Sequence, residues 1–406
     1  MYRVSPFVRL YAYALLGGAA MATLWVNLDP ASYYDIVELR LFDLPLPHWL
    51  AQMPLSLTPH GLVSQGLMAF FIFFVGKELW EALTLERGTL NGGSVVVPFG
   101  GVIGGMIGSV LGWLLCQSLF ETASEAGFGA GWPVPLGGDV VLCYLVGRIV
   151  FGSGHVALHV LLLITIGADI LGLLLLGLAN PDGLLRLSWL LLPLAASLGA
   201  WYFLGRSPGA NPSERRRRQG LALWPYIIAA ALCFVGVAAA GLPPALGLLP
   251  IIPAVPHAAR TFGLFAEAEV FLHDPLNRLA HALARPLALV LLLFGFTKGG
   301  VDLAALGPST GAVLVAYWLG KPAGIFAGMA AAAALTRTTL PPGVGLRDVV
   351  LIATISGIGF TIPILAIDSA LPGGRMAEAA RLGLALSLFA APAALFLGRI
   401  LPRGTR

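Results

Sequence analysis

Charge is scarce in this sequence. Asp, Glu, Lys and Arg make up 11% of its 406 residues, against about 25% in an ordinary soluble protein. That excludes a water-facing surface of the usual kind, and with it the two or three soluble domains this length would suit. Cysteine is nearly absent. Cys116, Cys143 and Cys233 are scattered without pairing or metal-ligand spacing, which leaves them as small apolar fillers. Also missing are a phosphate-cradling loop, a Cys/His metal cluster and a nucleophile elbow, so no enzyme and no cofactor is expected. The net charge of +4 and isoelectric point near 9.1 suit basic cytoplasmic loops and do not call for nucleic acid.

What the sequence has is apolar length. Hydrophobic residues are 58% and the mean hydropathy is +0.87, the profile of a polytopic membrane protein. Its 51 glycines and 29 prolines argue against plain rods, because glycine permits close helix packing and both residues permit broken helices. The first apolar run, Leu10 to Val26, is as long as a short span, and no cleavage site follows it, so no cleavable signal peptide is expected.

A helical span needs about 20 mostly apolar residues. Twelve candidates emerge: 10–26, 60–80, 95–119, 133–150, 156–179, 184–204, 221–240, 242–256, 283–297, 308–335, 347–367 and 377–400. The expectation is one all-α membrane domain over residues 1–406 with about twelve transmembrane helices. With both termini on one side, that side carries 18 of the 24 Lys and Arg and the other carries five, Lys321 lying inside a span. The positive-inside rule then places both termini in the cytoplasm. The Arg215–Arg218 run serves as a topology determinant or an anionic-lipid patch. Residues 27–59 read as an outer loop with a short amphipathic or hairpin element, and 257–282 as an interfacial helix.

Three ionisable residues fall deep in apolar surroundings: Asp139, Asp169 and Lys321. Each costs about 2.5–3.5 kcal/mol at a span centre. A structural ion pair would explain one of them; three of mixed sign, two of them beside helix-breaking glycines, point to an ion or proton site. Asp139 ends Pro133-Val-Pro-Leu-Gly-Gly-Asp139, where Gly137 and Gly138 precede the carboxylate. Gly357-Ile-Gly-Phe-Thr-Ile-Pro363, with Gly359 and Thr361, breaks span eleven. Broken segments at matching places in two three-span sets mark a transporter site. Asp169 is expected to pair with Lys321 across spans five and ten. Among weaker candidates, Arg148 reads as an interfacial snorkeller. His155 and His159 read as interfacial packing, and Lys298 and Asp302 as outer-loop charges. Glu78 forms either a local pair with Lys77 or part of a cytoplasmic, cation-attracting funnel.

These motifs together resemble the NhaA family of sodium/proton antiporters over about Gly17 to Arg403. Gln65-Gly-Leu-Met-Ala-Phe-Phe-Ile-Phe-Phe-Val-Gly76 is similar to the family's DGLMAxFFxxVG, followed by Glu78. Gly131-Trp-Pro-Val-Pro-Leu-Gly-Gly-Asp139 resembles GWxIPxATD, Gly320-Lys-Pro-Ala-Gly324 resembles GKPLG, and Gly357-Ile-Gly-Phe-Thr361 resembles CGIGFT. The resemblance implies inverted repeats with broken helices four and eleven crossing near the midplane; the family is one of the cases behind that rule. It also implies that Asp139 and Asp169 bind Na+ or protons and that Lys321 is their charge partner.

The departures bear on function. The family's paired aspartates in DDLGA become Gly167-Ala-Asp169-Ile-Leu-Gly172. Aligned on Leu171-Gly172, Asp169 takes the place of the lysine-pairing aspartate and Ile170 that of the main cation ligand. A one-residue shift would instead make Asp169 the cation ligand and Ala168 the lost residue. Gly138 replaces a threonine, Gln65 an aspartate, and Lys298 the asparagine of FANAGV. These changes mostly remove or oppose oxygen donors, which a hard cation wants. The expected function is exchange of a monovalent cation (Na+ or Li+) for protons by alternating access, serving pH homeostasis in the inner membrane. The alternative is a transporter of the same fold that no longer couples to sodium and moves another ion or substrate with protons. A non-transporting subunit is a third reading, disfavoured because a retired site should shed costly charges. The lipid bilayer is the expected surrounding, and a homodimer is left open.

Overall fold

The computed structural model describes residues 6–44, 55–84, 95–119, 127–152, 154–180, 184–205, 222–256 and 275–401. The Arg215–Arg218 run and residues 257–274 of the expected interfacial helix lie outside them. The described chain is nearly all helical. Its elements are α1 (Pro6–Leu28), α2 (Pro30–Val37), α3 (Pro59–Leu83), α4 (Val96–Leu119), α5 (Val140–Phe151), α6 (Val156–Ala179), α7 (Leu187–Leu204) and α8 (Trp224–Ala239). Then come α9 (Pro275–Ala284), α10 (Pro286–Lys298), α11 (Pro308–Thr336), α12 (Leu346–Ile355), α13 (Thr361–Ala370) and α14 (Gly374–Ile400).

The expected segments all coincide with helical structure, but a count of twelve full spans is not reached. Seven described helices are long and apolar enough to cross a membrane, and two bent pairs raise that to nine. The shortfall has a local cause in each case. Pro243-Pro244 and Pro250 shorten α8 to 16 residues and leave only 3-10 turns at 244–254, since proline cannot donate to the helical ladder. Arg285-Pro286 bends α9 against α10 by 50°. The loop at 27–59 holds the expected short elements: α2, capped by Asp29, and an antiparallel strand pair β1 (Phe42–Leu44) and β2 (Leu55–Leu57).

The chain divides into two compact units, interleaved along the sequence. The first comprises residues 1–22, 29–81 and 177–298. Its apolar core gathers Phe73, Tyr226, Cys233, Ile251, Ile252 and Leu276. Helix α9 is amphipathic, burying Leu276, Ala280 and Ala284 at four-residue spacing, as an interfacial helix should. In this unit Gly18 of α1 and Gly295 of α10 interlock: a Cβ on either would sit 2.2–2.3 Å from a carbonyl oxygen of the other helix.

The second unit comprises residues 23–28, 82–176 and 299–406. Its spine is a glycine seam. Gly100, Gly104, Gly108 and Gly112 recur every four residues on α4 and face Gly328, Gly324, Gly320 and Ala316 of α11. A Cβ at Gly104 would stand 2.2 Å from the Gly324 oxygen, and one at Gly324 would stand 2.1 Å from the Gly104 oxygen. Only glycine lets two backbones approach so closely, the small-residue packing that membranes favour. The seam runs past Gly320 into Lys321, so it also fixes where that lysine enters the interior. The segment around Asp139 is broken as expected: a helical piece at 128–136 meets α5 at 46°. Span eleven is likewise split, with α12 ending at Ile355 and α13 beginning at Thr361.

Candidate ion site

Both breaks belong to the second unit and lie against each other. The Thr361 hydroxyl donates to the Gly138 carbonyl at 3.4 Å. A Cβ on Gly137 would collide with Ile362 at 2.6 Å, so glycine is required there for the two segments to meet. Helix α6 closes the side: a Cβ on Gly172 would stand 3.3 Å from the Gly137 nitrogen. Two half-helices, α5 and α13, therefore begin at one place, and their N-terminal ends favour negative charge there.

Asp139 is fully buried and caps α5, its Oδ1 accepting from the Leu142 N–H at 2.7 Å. Asp169 is also buried, and its Oδ1 accepts from the Gly138 N–H at 2.6 Å. Each thus spends one oxygen on backbone. The other oxygen of each, Oδ2, is buried and makes no hydrogen bond of good geometry among the described residues, although the Thr361 N–H and hydroxyl face the Asp139 carboxylate. Buried polar atoms are seldom left so, and an unpaired one costs about 1–3 kcal/mol or more when charged.

Lys321 approaches from α11. Its Nζ donates to the Gly137 carbonyl at 2.5 Å and lies 4.9 Å from the centre of the Tyr317 ring. Among the described residues no ion pair within 4.0 Å joins Asp169 to Lys321, yet the two charges act on each other through space. They also share one peptide group, Lys321 on its carbonyl and Asp169 on its N–H. The break explains why. Unwinding at Gly137-Gly138 frees a peptide that needs a donor and an acceptor, and the two charges supply both.

Other expected residues sort as follows. Gly357 and Gly359 line the second break; a Cβ on Gly359 would meet the Tyr317 ring at 2.4 Å. Ser387 holds Gly359 in place, its hydroxyl accepting from the Gly359 N–H at 3.1 Å, while the Leu384 carbonyl at 2.7 Å and the Gly359 carbonyl at 3.0 Å compete for its one proton. Ile170 is half-buried and offers no oxygen. Cys143 does more than fill space: its thiol donates to the Ile355 carbonyl at 3.2 Å, at the end of α12. Tyr317 and Ser387 were not singled out from the sequence, where both look like routine residues of apolar runs.

The other expected charges have partners of their own. Glu78 is in a local cluster in the first unit, where the buried Lys77 ammonium lies 3.5 Å from Glu78 and 2.8 Å from Glu81. Lys298 is not an outer-loop charge: it is buried at the end of α10 and bonds to His60 of α3. Asp302 caps a turn, accepting from the Ala304 N–H at 2.8 Å. Arg148 is buried rather than reaching an exposed interface, and it donates to the Tyr144 hydroxyl one turn back at 3.1 Å. His155 stacks on Phe151 with centroids 5.8 Å apart.

The arrangement of crossed breaks, two carboxylates and a lysine can be set beside known proteins. The model of the family described as Na+/H+ antiporter 1 matches residues 9–398. The chain belongs to this family. It is 38% identical over 412 aligned residues to the Na+/H+ antiporter NhaA of Jannaschia sp. (strain CCS1), covering 98% of both chains. It is 33% identical to Na+/H+ antiporter NhaA 2 of Pelobacter propionicus, covering 97% of both. Among solved structures it is similar to the sodium proton antiporter MjNhaP1 of Methanocaldococcus jannaschii, with a TM-score of 0.54 over 97% of this chain and 98% of that one. At 13% identity that likeness speaks for the fold alone. Family membership accords with a multi-pass membrane transporter.

Proposed function

We propose that this protein exchanges a monovalent cation, Na+ or Li+, for protons by alternating access in the inner membrane, with both termini cytoplasmic. Asp139 and Asp169 are the ion- and proton-binding carboxylates and Lys321 is the charge that answers them. The observation that carries this reading is the pair of buried, unpartnered Oδ2 atoms at the junction of the two breaks. A carboxylate so placed takes either a proton or a cation, and the two compete. Competition for one site is the simplest chemistry of exchange. Among the described residues no group of three His, Cys, Asp or Glu side chains could hold a metal ion. A cation would therefore need backbone carbonyls from the breaks to complete its oxygen shell.

A second reading has its own support: a transporter of this fold that no longer couples to sodium. Ile170 and Gly138 bring no oxygen where the family has aspartate and threonine, and Asp169 already gives one oxygen to the Gly138 N–H. That bond ties Asp169 to the peptide Lys321 holds, which favours the register placing it at the lysine-pairing position and Ile170 at the cation-ligand position.

Proteoliposomes carrying a pH dye decide between the two. Proton flux driven by sodium or lithium supports exchange. Flux with none of sodium, lithium or potassium, but with an anion or organic ion, supports the second reading.

A further inference from the structure

The Gly137 carbonyl accepts two donors. One is Lys321 Nζ at 2.5 Å and the other is the Tyr317 hydroxyl at 2.9 Å. A carbonyl oxygen has two lone pairs, so this one is filled. Tyr317 is fully buried and reaches the carbonyl from a π-helical turn, Ala316–Gly320, directly before Lys321. Such single wide turns inside a helix recur at functional sites, and this one aims residues 317 and 321 at the same acceptor. The Tyr317 ring also lies against Gly359 of the second break. One side chain thus touches both breaks and flanks the lysine.

The two donors differ in kind. The phenol is rigid and its position is fixed by Gly359. Lys321 is a flexible chain carrying a proton that the exchange reaction can use, as carboxylates beside it gain and lose charge. When Lys321 leaves Gly137, a carbonyl with no other donor would be stranded, and when the ammonium becomes a neutral amine the bond it makes there loses its charge assistance. Tyr317 removes that obstacle. We infer that Tyr317 is a positioning residue that keeps the Gly137 carbonyl bonded while Lys321 is released, and so sets the pH at which the lysine lets go. This rests on the proposed proton-coupled exchange. Among the described residues the titratable groups facing Lys321 are Asp169 from α6, Cys143 from α5 and Tyr317 from its own helix, and Asp139 lies behind Cys143 as a charge acting on that thiol. On α4, a Cβ at Gly105 would stand 3.7 Å from Lys321 Cγ.

Tyr317→Phe keeps the ring and removes the hydroxyl. Lys321 becomes the sole donor to Gly137, and its departure strands the carbonyl, so its proton is held more tightly. In proteoliposomes the alkaline limb of the exchange profile should move up by about 1 pH unit, a tenfold change in proton affinity, with KM for the cation little changed at acid pH. A loss of flux equal at every pH would overturn the inference. A second arm does not need transport. The thermal unfolding midpoint of the full-length protein in detergent is followed across pH, for native and Tyr317→Phe protein. The change in midpoint that accompanies loss of the Lys321 proton should come at higher pH in Tyr317→Phe, since a titrating group makes stability pH-dependent from its own folded-state proton affinity. In a Lys321→Arg background, where residue 321 no longer titrates, the substitution should cause no shift. An equal shift in both backgrounds, or none in either, overturns the inference. A native protein that moves no cation sinks the proposed function, while the unfolding comparison still decides the role of Tyr317.

Discussion

Asp169 and Lys321 hold opposite ends of one peptide group. The carboxylate accepts from the Gly138 N–H at 2.6 Å and the ammonium donates to the Gly137 carbonyl at 2.5 Å. The peptide between them is a dipole already aligned with the field of the two charges. Residues 152 positions apart are thus coupled through a third segment, and a charge change at one alters the hold on the other. The relationship separates charge from hydrogen bonding at Asp169. Asp169→Asn keeps an oxygen for the Gly138 N–H and removes the charge, so the protein should fold and lose proton-coupled flux. Asp169→Ala also leaves a buried N–H unpaired, which costs about 1–3 kcal/mol more. Unfolding midpoints of the two variants, measured with flux, check this; equal midpoints would mean the peptide is not held by Asp169.

Asp139 carries two duties that the same logic separates. Its Oδ1 caps α5 and its Oδ2 is open. Asn caps a helix as well as Asp does, whereas Ala loses about 0.5–2 kcal/mol. Asp139→Asn should therefore accumulate like the native protein and show no proton-coupled exchange. Full exchange by that variant would remove Asp139 from the ion site.

The glycine seam offers a purely mechanical test. Gly324→Ala places a Cβ 2.1 Å from the Gly104 oxygen, and backbone cannot yield as a side chain can. Overpacking of this kind costs about 1–3 kcal/mol, and pushing α11 away from α4 also displaces Lys321. Gly311, on the same helix, has nothing within 4 Å of a built Cβ. Gly311→Ala should be neutral or stabilise by about 0.5–1 kcal/mol through helix propensity. A lowered unfolding midpoint and reduced flux are expected for Gly324→Ala alone.

Much of this was legible in the sequence because hydropathy and breakers act locally. The span expected at 156–179 is α6 residue for residue, and the break before Asp139 falls where two prolines and two glycines stand. The site's long-range partners were not legible. Tyr317 lies in an apolar run, and only the fold brings its hydroxyl to a carbonyl 180 residues away. Lys298 looked like a loop charge because it ends an apolar segment, yet the fold buries it against His60, 238 positions distant. Segment averages also overcount spans: 242–256 is apolar enough to suggest one, but its prolines permit only short turns. The sequence shows the two charges of Asp169 and Lys321 but not the unwound peptide that both of them hold.

The last prediction concerns the oxygens this chain lacks. Ile170 is half-buried beside Asp169, and an alkyl side chain gives a cation nothing. Gly138 sits with room for a side chain: a Cβ there would stand 3.5 Å from the Ile358 carbonyl, 3.6 Å from Lys321 Nζ and 3.8 Å from Asp169 Oδ1, all ordinary contacts. Gly138→Thr therefore starts from a Cβ that meets no clash and adds a hydroxyl beside Asp169 and Lys321, while Ile170→Asp adds a carboxylate at a burial cost of about 2.5–3.5 kcal/mol. If the register placing Asp169 at the lysine-pairing position holds, native sodium-driven proton flux is weak. Ile170→Asp then raises it and lowers the apparent KM for sodium, and Gly138→Thr strengthens the effect. Flux and KM for the native, single and double variants are compared in the same liposomes, with unfolding midpoints to exclude misfolding. Robust native sodium exchange, damaged by Ile170→Asp and abolished by Asp169→Asn, would reverse the assignment. Asp169 would then be the cation ligand and Ala168 would stand where the family keeps the lysine's partner.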